Sequence, residues 1–199
     1  MTEIVIATRN RGKIREIEAL LHSYPYKLLS LTDFPDMPEI VEDGKTFLEN
    51  AIKKARMVAL YTHRLTVADD SGLVVEALQG RPGVLSSRYA GEGATDEKRY
   101  RKLLKEMIGV PLDQRQAAFV CAMAVATPSG RIQTVEGECR GSITFEPRGK
   151  YGFGYDPVFF VPEFAKTMAE LEPEIKNRIS HRARALEKLK PLLVEFSPI

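Results

Sequence analysis

A chain of 199 residues, 44% of them hydrophobic, can bury a sizeable core without disulfide staples. Its 29 basic and 27 acidic residues leave a net charge of +2, a balance that argues against a nucleic-acid binder. The two cysteines, Cys121 and Cys139, form no C-x-x-C pair, three histidines are too few for a zinc cluster, and no stretch reaches the ~18 apolar residues of a spanning helix. With no basic leader ahead of the first strand, the expectation is a cytoplasmic protein with free, buried thiols and no membrane association.

Taken in chain order, Glu3 to Ala7 reads as a strand that passes through the polar loop Thr8-Arg9-Asn10-Arg11-Gly12-Lys13 into a helix ending near Leu21. Strand, polar loop and helix make an anion site. The first helical turn offers unpaired N–H groups and partial positive charge, Gly12 lets the backbone approach closely, and Lys13 adds a full charge. Gly12-Lys13 resembles half of a P-loop, but Ala7 stands where the first glycine belongs and Ile14 replaces the metal-binding hydroxyl, which argues against a kinase or motor-type site. A plain solvated turn explains the loop about equally well on local grounds.

A strand over Lys27 to Leu31 precedes the Pro-rich loop Phe34 to Pro38. Thr46 and Glu49 have capping-box spacing, which places a helix from Phe47 to about Tyr61 with Ala51, Ala55, Val58 and Ala59 on its buried stripe. Asn50 and Lys54 lie a turn apart and can act together on one ligand, with a solvated surface lysine as the plain alternative. Glu42 and Asp43 suit the amino end of that helix electrostatically and could equally add carboxylates to a metal site.

Leu65 to Ala68 reads as a short buried strand, with Asp69 and Asp70 emerging at its carboxyl end before a Ser71-Gly72 turn, where open α/β sheets bind ligands. Successive strand residues point opposite ways, so one carboxylate faces the ligand while the other turns to a neighbouring loop. Asp70, nearer the turn, is the working carboxylate on this reading, although those four residues alone are better explained as a polar turn.

Leu73 to Leu78 suggests another strand, Thr95 caps a helix to about Met107, and Gln116 to Thr127 has the continuous apolarity of a central strand. A hairpin at Pro128-Ser129-Gly130 returns through Ile132 to Arg140, which makes the sheet mixed. The loop Pro147 to Pro157 interleaves Gly149, Gly152 and Gly154 with aromatics, an arrangement costly to order that a flat ligand stacked on Phe153 or Tyr155 would justify. Lys176 to Arg182 forms a third basic loop, with Ser180 capping a last helix whose Ala183, Leu186, Leu189 and Leu193 face inward. His181 and Arg182 then sit in its first turn against the helix dipole, a placement that points to function or, for Arg182, to pairing with an acidic residue.

Six stretches in order, Ala7 to Lys13, Phe47 to Ala51, Ala68 to Leu73, Pro82 to Gly91, Gly152 to Pro157 and Ile179 to Arg182, resemble the motif series of the Ham1/RdgB inosine triphosphate pyrophosphatases nearly end to end. The resemblance implies an α/β fold of the ITPase-like (Maf/Ham1) type: one domain over residues 1–199 with no separable linker, a long central mixed sheet flanked by helices, and two lobes with the active site in the cleft. It also implies a homodimer and Mg²⁺-dependent hydrolysis of ITP, dITP and XTP to the monophosphate and pyrophosphate, which cleanses the nucleotide pool. Carried over residue by residue, Thr8, Arg9, Asn10, Arg11, Gly12 and Lys13 would hold the triphosphate. Asp70 would be the general base and, with Glu42, a metal ligand. Ser71, Phe153, Gly154, Tyr155, Asp156, Lys176, His181 and Arg182 would contact the substrate, and Lys54, read from its charge and its place a turn from Asn50, would join Lys13 in stabilising the leaving pyrophosphate. A Maf-type pyrophosphatase, a nucleotide sensor without turnover and a single-strand nucleic-acid module are the alternatives, which a substrate panel separates.

Overall fold

Residues 2–196 are described by the computed structural model. The strands are β1 (Thr2–Ile6), β2 (Tyr26–Ser30), β3 (Leu65–Val75), β4 (Gln116–Ala126), β5 (Ile132–Ile143), β6 (Phe159–Val161) and β7 (Lys166–Thr167). They form one seven-stranded mixed sheet in the order β2-β1-β3-β4-β5-β6-β7. The helices are α1 (Arg11–Leu21), α2 (Phe47–Thr62), α3 (Asp96–Glu106), α4 (Pro173–Ile179) and α5 (His181–Phe196). Among the described residues no helix is long and apolar enough to cross a membrane. By their contacts the residues fall into two units: residues 1–70, 121–137 and 182–199 form the first, and residues 71–120 and 138–181 the second.

In the first unit the period-two alternation of the strands decides which helix each side chain meets. Ile4 and Ile6 of β1, Val67 of β3 and Cys121, Met123 and Val125 of β4 pack with Ile17 and Leu21 of α1 and with Leu186, Leu189 and Leu193 of α5. The intervening residues Val5, Ala7, Ala68, Ala122 and Ala124 pack with Ala51, Ala55, Val58 and Ala59 of α2. Both faces are therefore covered, which explains why β1 and β4 read as continuous apolar runs. The α2 side is built almost wholly of alanine and valine, so that helix can approach the sheet closely. β1 runs parallel to both its neighbours, with Ile4 opposite Leu28 and Ile6 opposite Val67.

The second unit packs Leu73 and Val75 of β3, Phe119 of β4, Ile143 of β5 and Phe159 of β6 against Leu103 of α3 and Met107. Its edge is antiparallel: Ser142 faces Phe160, and Phe160 faces Thr167. Cys121 and Cys139 are buried free thiols, as expected, and burial pushes Cys121 up to about 12.

Two expected boundaries fail. No turn interrupts the strand after Ala68: β3 continues through Asp69, Asp70, Ser71 and Gly72 to Val75, and Glu76–Leu78 is a 3₁₀ turn and not the end of a further strand. Asp-Asp-Ser-Gly has turn composition, but almost every residue of β3 is buried, and the ladder supplies the backbone partners that such residues otherwise find in turns. Elsewhere the caps fall where the sequence puts them, with Thr46 accepting from Glu49 N and Thr95 from Lys98 N; Thr167 and Glu170 form a further capping box.

Candidate active site

Because β3 runs straight through Asp69 and Asp70, their side chains leave opposite faces of the strand and meet different helices. Asp70 meets α2. Asn50 Nδ2 donates to Asp70 Oδ2 at 2.9 Å, and Lys54 Nζ lies 3.9 Å from Asp70 Oδ1 and 2.7 Å from Glu42 Oε1. Asn50 also accepts from Gly44 N at 2.8 Å, which ties the segment carrying Glu42 to the same helix; a Cβ on Gly44 would fall 2.6 Å from that oxygen. Asp43 instead pairs with Lys53 at the surface, 2.6 Å away. Of the two adjacent acids, Glu42 is therefore the one whose carboxylate shares a lysine with Asp70.

Burial pushes the Asp70 carboxyl above its ordinary range, against the pull of Lys54, Lys13 and the Asn50 hydrogen bond. Burial works against the charge on Lys54 too, but Asp69, Asp70 and Glu42 more than restore it, so its affinity for a proton rises. An aspartate that holds a proton more tightly than usual, beside a lysine kept cationic, is equipped to take a proton from water.

Asp69 has the opposite environment. Burial would raise it, yet Lys13, Arg182 and Lys54 hold it far below the carboxylate range. Its Oδ2 accepts from Lys13 Nζ at 2.9 Å and from Arg182 Nη2 at 3.2 Å, while Arg182 Nη1 donates to Glu16. Arg182 is 1% exposed, and two carboxylates compensate its position in the first turn of α5. The expected pairing with acids holds, but they are not surface residues: Asp69 is buried and Glu16 half-buried.

The loop ahead of Lys13 is built by its own side chains. Asn10 caps α1, its Oδ1 accepting from Gly12 N at 2.9 Å and Lys13 N at 3.2 Å, and Thr8 Oγ1 accepts from Asn10 N. Two of the helix donors expected to be open are thus paired with Asn10. Arg9 reaches the Met37 carbonyl, and Arg11 is exposed.

The second unit holds the glycine-rich loop, Ser71, Lys176 and His181. Lys176 Nζ donates to Asp156 Oδ2 at 2.5 Å and lies 4.5 Å from the centre of the Phe153 ring, and the same carboxylate oxygen accepts from Phe153 N at 2.8 Å. Gly152, at φ +76°, passes so close that a Cβ would fall 2.0 Å from Asp156 Oδ2. Asp96 of α3 accepts from Gly154 N at 2.7 Å, a contact unreadable from sequence, where Asp96 looks like an ordinary first-turn acid. His181 stacks on Phe119 with centroids 4.9 Å apart. Tyr155 does not stack as expected: it is a core residue, 4% exposed, and its hydroxyl donates to the Ser86 carbonyl. Phe153, half-buried, is the ring left for that role.

Among the described residues no group of three or more His, Cys, Asp and Glu could hold a metal ion by itself. Glu42 and Asp70 nonetheless converge on one cationic group, Lys54, and offer the oxygen donors that a hard cation prefers.

A seven-stranded mixed sheet flanked by helices defines an α/β protein. The chain belongs to the Ham1 family, whose model matches residues 4–192. It is 57% identical over 190 residues to the dITP/XTP pyrophosphatase of Geobacter sulfurreducens, covering 96% of each chain, and 50% identical over 193 residues to that of Bacillus subtilis, covering 97% of this chain and 98% of the relative. Among solved structures, the HAM1 protein from Coxiella burnetii superimposes with a TM-score of 0.89 at 46% identity, covering 98% of this chain and all of that one. The Staphylococcus aureus Ham1 protein gives 0.87 at 40%, covering 98% of this chain and all of its own.

Proposed function

We propose that this chain is a nucleoside triphosphate pyrophosphatase that hydrolyses ITP, dITP and XTP to the monophosphate and pyrophosphate, with Mg²⁺ held by Asp70 and Glu42. The observation that carries the mechanism is the split between two neighbouring aspartates: Asp69 is locked in its ionised form by Lys13 and Arg182, while burial, against the pull of Lys54, Lys13 and the Asn50 hydrogen bond, leaves Asp70 with raised proton affinity. Asp70 takes a proton from a water whose oxygen attacks the α-phosphorus. The bond between the α-phosphorus and the bridging oxygen breaks, and pyrophosphate leaves with that oxygen. Lys13 and Lys54 offset the charge that gathers on the leaving group, and the loop Thr8 to Lys13 orients the phosphates. Bound with the phosphates, Mg²⁺ would neutralise their charge and fix their geometry, the part that hard cations play in such sites.

Base recognition falls to Ser71, to Phe153 to Asp156, and to Lys176 and His181. The Phe153 ring offers a stacking surface, and donors of Lys176 and His181 suit a purine with an acceptor at O6; an adenine amino group would leave them unpaired. The family resemblance further supports a homodimer acting in the cytoplasm, with the cleansing of nucleotide pools as its role.

The test is a Mg²⁺-dependent assay on ITP, dITP, XTP, ATP, GTP and TTP, with pyrophosphate and orthophosphate detected separately. Pyrophosphate from ITP, dITP and XTP with little from the other three supports the proposal. Orthophosphate alone would mean that a different bond is cut, and no product would leave a binding protein.

A further inference from the structure

We infer that Glu16 and Arg182 are positioning residues for Lys13, acting through Asp69, and that the Arg182 side chain works on the phosphate end of the substrate without touching it. This inference rests on the reading of Lys13 as a phosphate ligand.

Lys13 and Glu16 are three residues apart on α1 and so lie on one side of that helix. Arg182, entering from α5, donates through Nη1 to Glu16 and through Nη2 and Nε to Asp69 Oδ2, at 3.2 and 3.4 Å. The same Asp69 oxygen receives Lys13 Nζ at 2.9 Å. The result is an alternating row, Glu16, Arg182, Asp69, Lys13, with side-chain exposures of 11, 1, 0 and 14%. Only its two ends reach solvent, and one of those ends is Lys13, in the first turn of α1.

Three physical features make the row a device for placing Lys13. A lysine ammonium is a point charge on a flexible stem, so its direction is set only by what it pairs with. Asp69 cannot wander, because its backbone lies inside β3 and its carboxylate is bound by the rigid fork of a guanidinium. That fork is itself held at its other edge by Glu16, from the helix that carries Lys13, so the row returns to its own starting element. A buried ionic network is seldom the most stabilising way to fill a core; well-packed apolar residues of similar volume do as well or better. Four charges spent on stability alone would be poorly spent, whereas one cation aimed at an anion from a fixed origin accounts for all four. The argument also explains the identity of residue 182: a lysine offers no planar fork to hold two carboxylates in fixed directions.

The test uses the full-length chain and compares Glu16→Gln and Arg182→Lys in the wild-type and Lys13→Met backgrounds. Calorimetry with inorganic pyrophosphate and Mg²⁺ reads the phosphate site, steady-state kinetics on ITP read turnover, and thermal melting reports folding. Glu16→Gln, the milder change at the more exposed end, is expected to weaken pyrophosphate binding and to lower kcat/KM on ITP, each roughly 10-fold, as loss of an orienting partner commonly does. In the Lys13→Met background the same change is expected to have no further effect, because the residue that it positions is gone. Arg182→Lys should repeat the pattern more strongly. Equal effects of Glu16→Gln with and without Lys13, or wild-type binding in Arg182→Lys, overturn the inference. A wild-type chain that neither binds pyrophosphate nor cleaves ITP removes the proposed function, and the inference goes with it; additive effects in an active enzyme remove the inference alone.

Discussion

Asp70 in the first unit and Asp156 in the second are both buried, and both sit beside a lysine, but they are held by different means. Asp70 and its neighbour Asp69 are fixed by side chains drawn from α1, α2 and α5, so that each member is a charge answering other charges. Asp156 is fixed by one side chain and by backbone: it accepts from Lys176 Nζ and from Phe153 N, and the chain closes around it at Gly152 in a conformation with φ +76° that other residues resist. The first arrangement tunes proton affinity and charge. The second sets the shape of a loop and the direction of one lysine and one ring. A site that moves a proton needs the former, and one that judges the outline of a flat ligand needs the latter.

That contrast can be broken from either side. The largest effect is expected from Asp70→Asn, which removes the base while keeping the shape: pyrophosphate release from ITP should fall roughly 10³-fold. Because burial raises the proton affinity of Asp70, its folded-state pKa exceeds the unfolded value. Its contribution to stability is then present below the unfolded pKa and lost as pH rises through the folded one. The same variant should consequently be no less stable than wild type at neutral pH, which denaturant titration will check.

Asp69→Asn should do the reverse. It leaves Arg182 buried with half its compensation, at an expected cost of about 3–5 kcal/mol in denaturant unfolding. Asp69 is held below its unfolded value, so its stabilisation is present above that value, ~4, and is lost as pH falls through the folded one. The acid limb of a stability-against-pH curve should therefore be flatter in the variant than in wild type.

In the second unit, Gly152→Ala would press a Cβ onto Asp156 and strain a left-handed backbone. A strain of ~1–3 kcal/mol predicts a KM for ITP raised about 10-fold and weaker discrimination against ATP, with kcat nearly unchanged. A kcat loss as large as that of Asp70→Asn would dissolve the distinction between the two clusters. The smallest effect should come from Asp43→Asn, whose carboxylate pairs with Lys53 in solvent: less than about 2-fold on kcat/KM at any Mg²⁺ concentration, against a marked rise in the Mg²⁺ requirement for Glu42→Gln.

Much of this was legible before any coordinates. Capping chemistry located the starts of α2 and α3, and the continuous apolarity of Gln116 to Thr127 anticipated a strand covered on both faces, because these signals depend on neighbours within a few residues. Asn50 and Lys54 were readable as partners because a helix puts residues four apart on one side. The Ser71-Gly72 stretch misled for the same reason: its composition favours a turn locally, and only burial between other strands holds it extended.

The sequence by itself determined which residues can carry the chemistry, since carboxylates, lysines and conformationally free glycines are properties of residue type and short spacing. Tertiary structure alone decided their roles. Asp69 and Asp70 are chemically identical and adjacent, and nothing local separates them; Lys13 and Arg182, 56 and 113 positions away from Asp69, hold one ionised while burial raises the other. Glu16 belongs to the site only through Arg182, far along the chain. Proton affinity and side-chain direction are set by the field and packing of distant segments, and those are fixed only when the chain has folded.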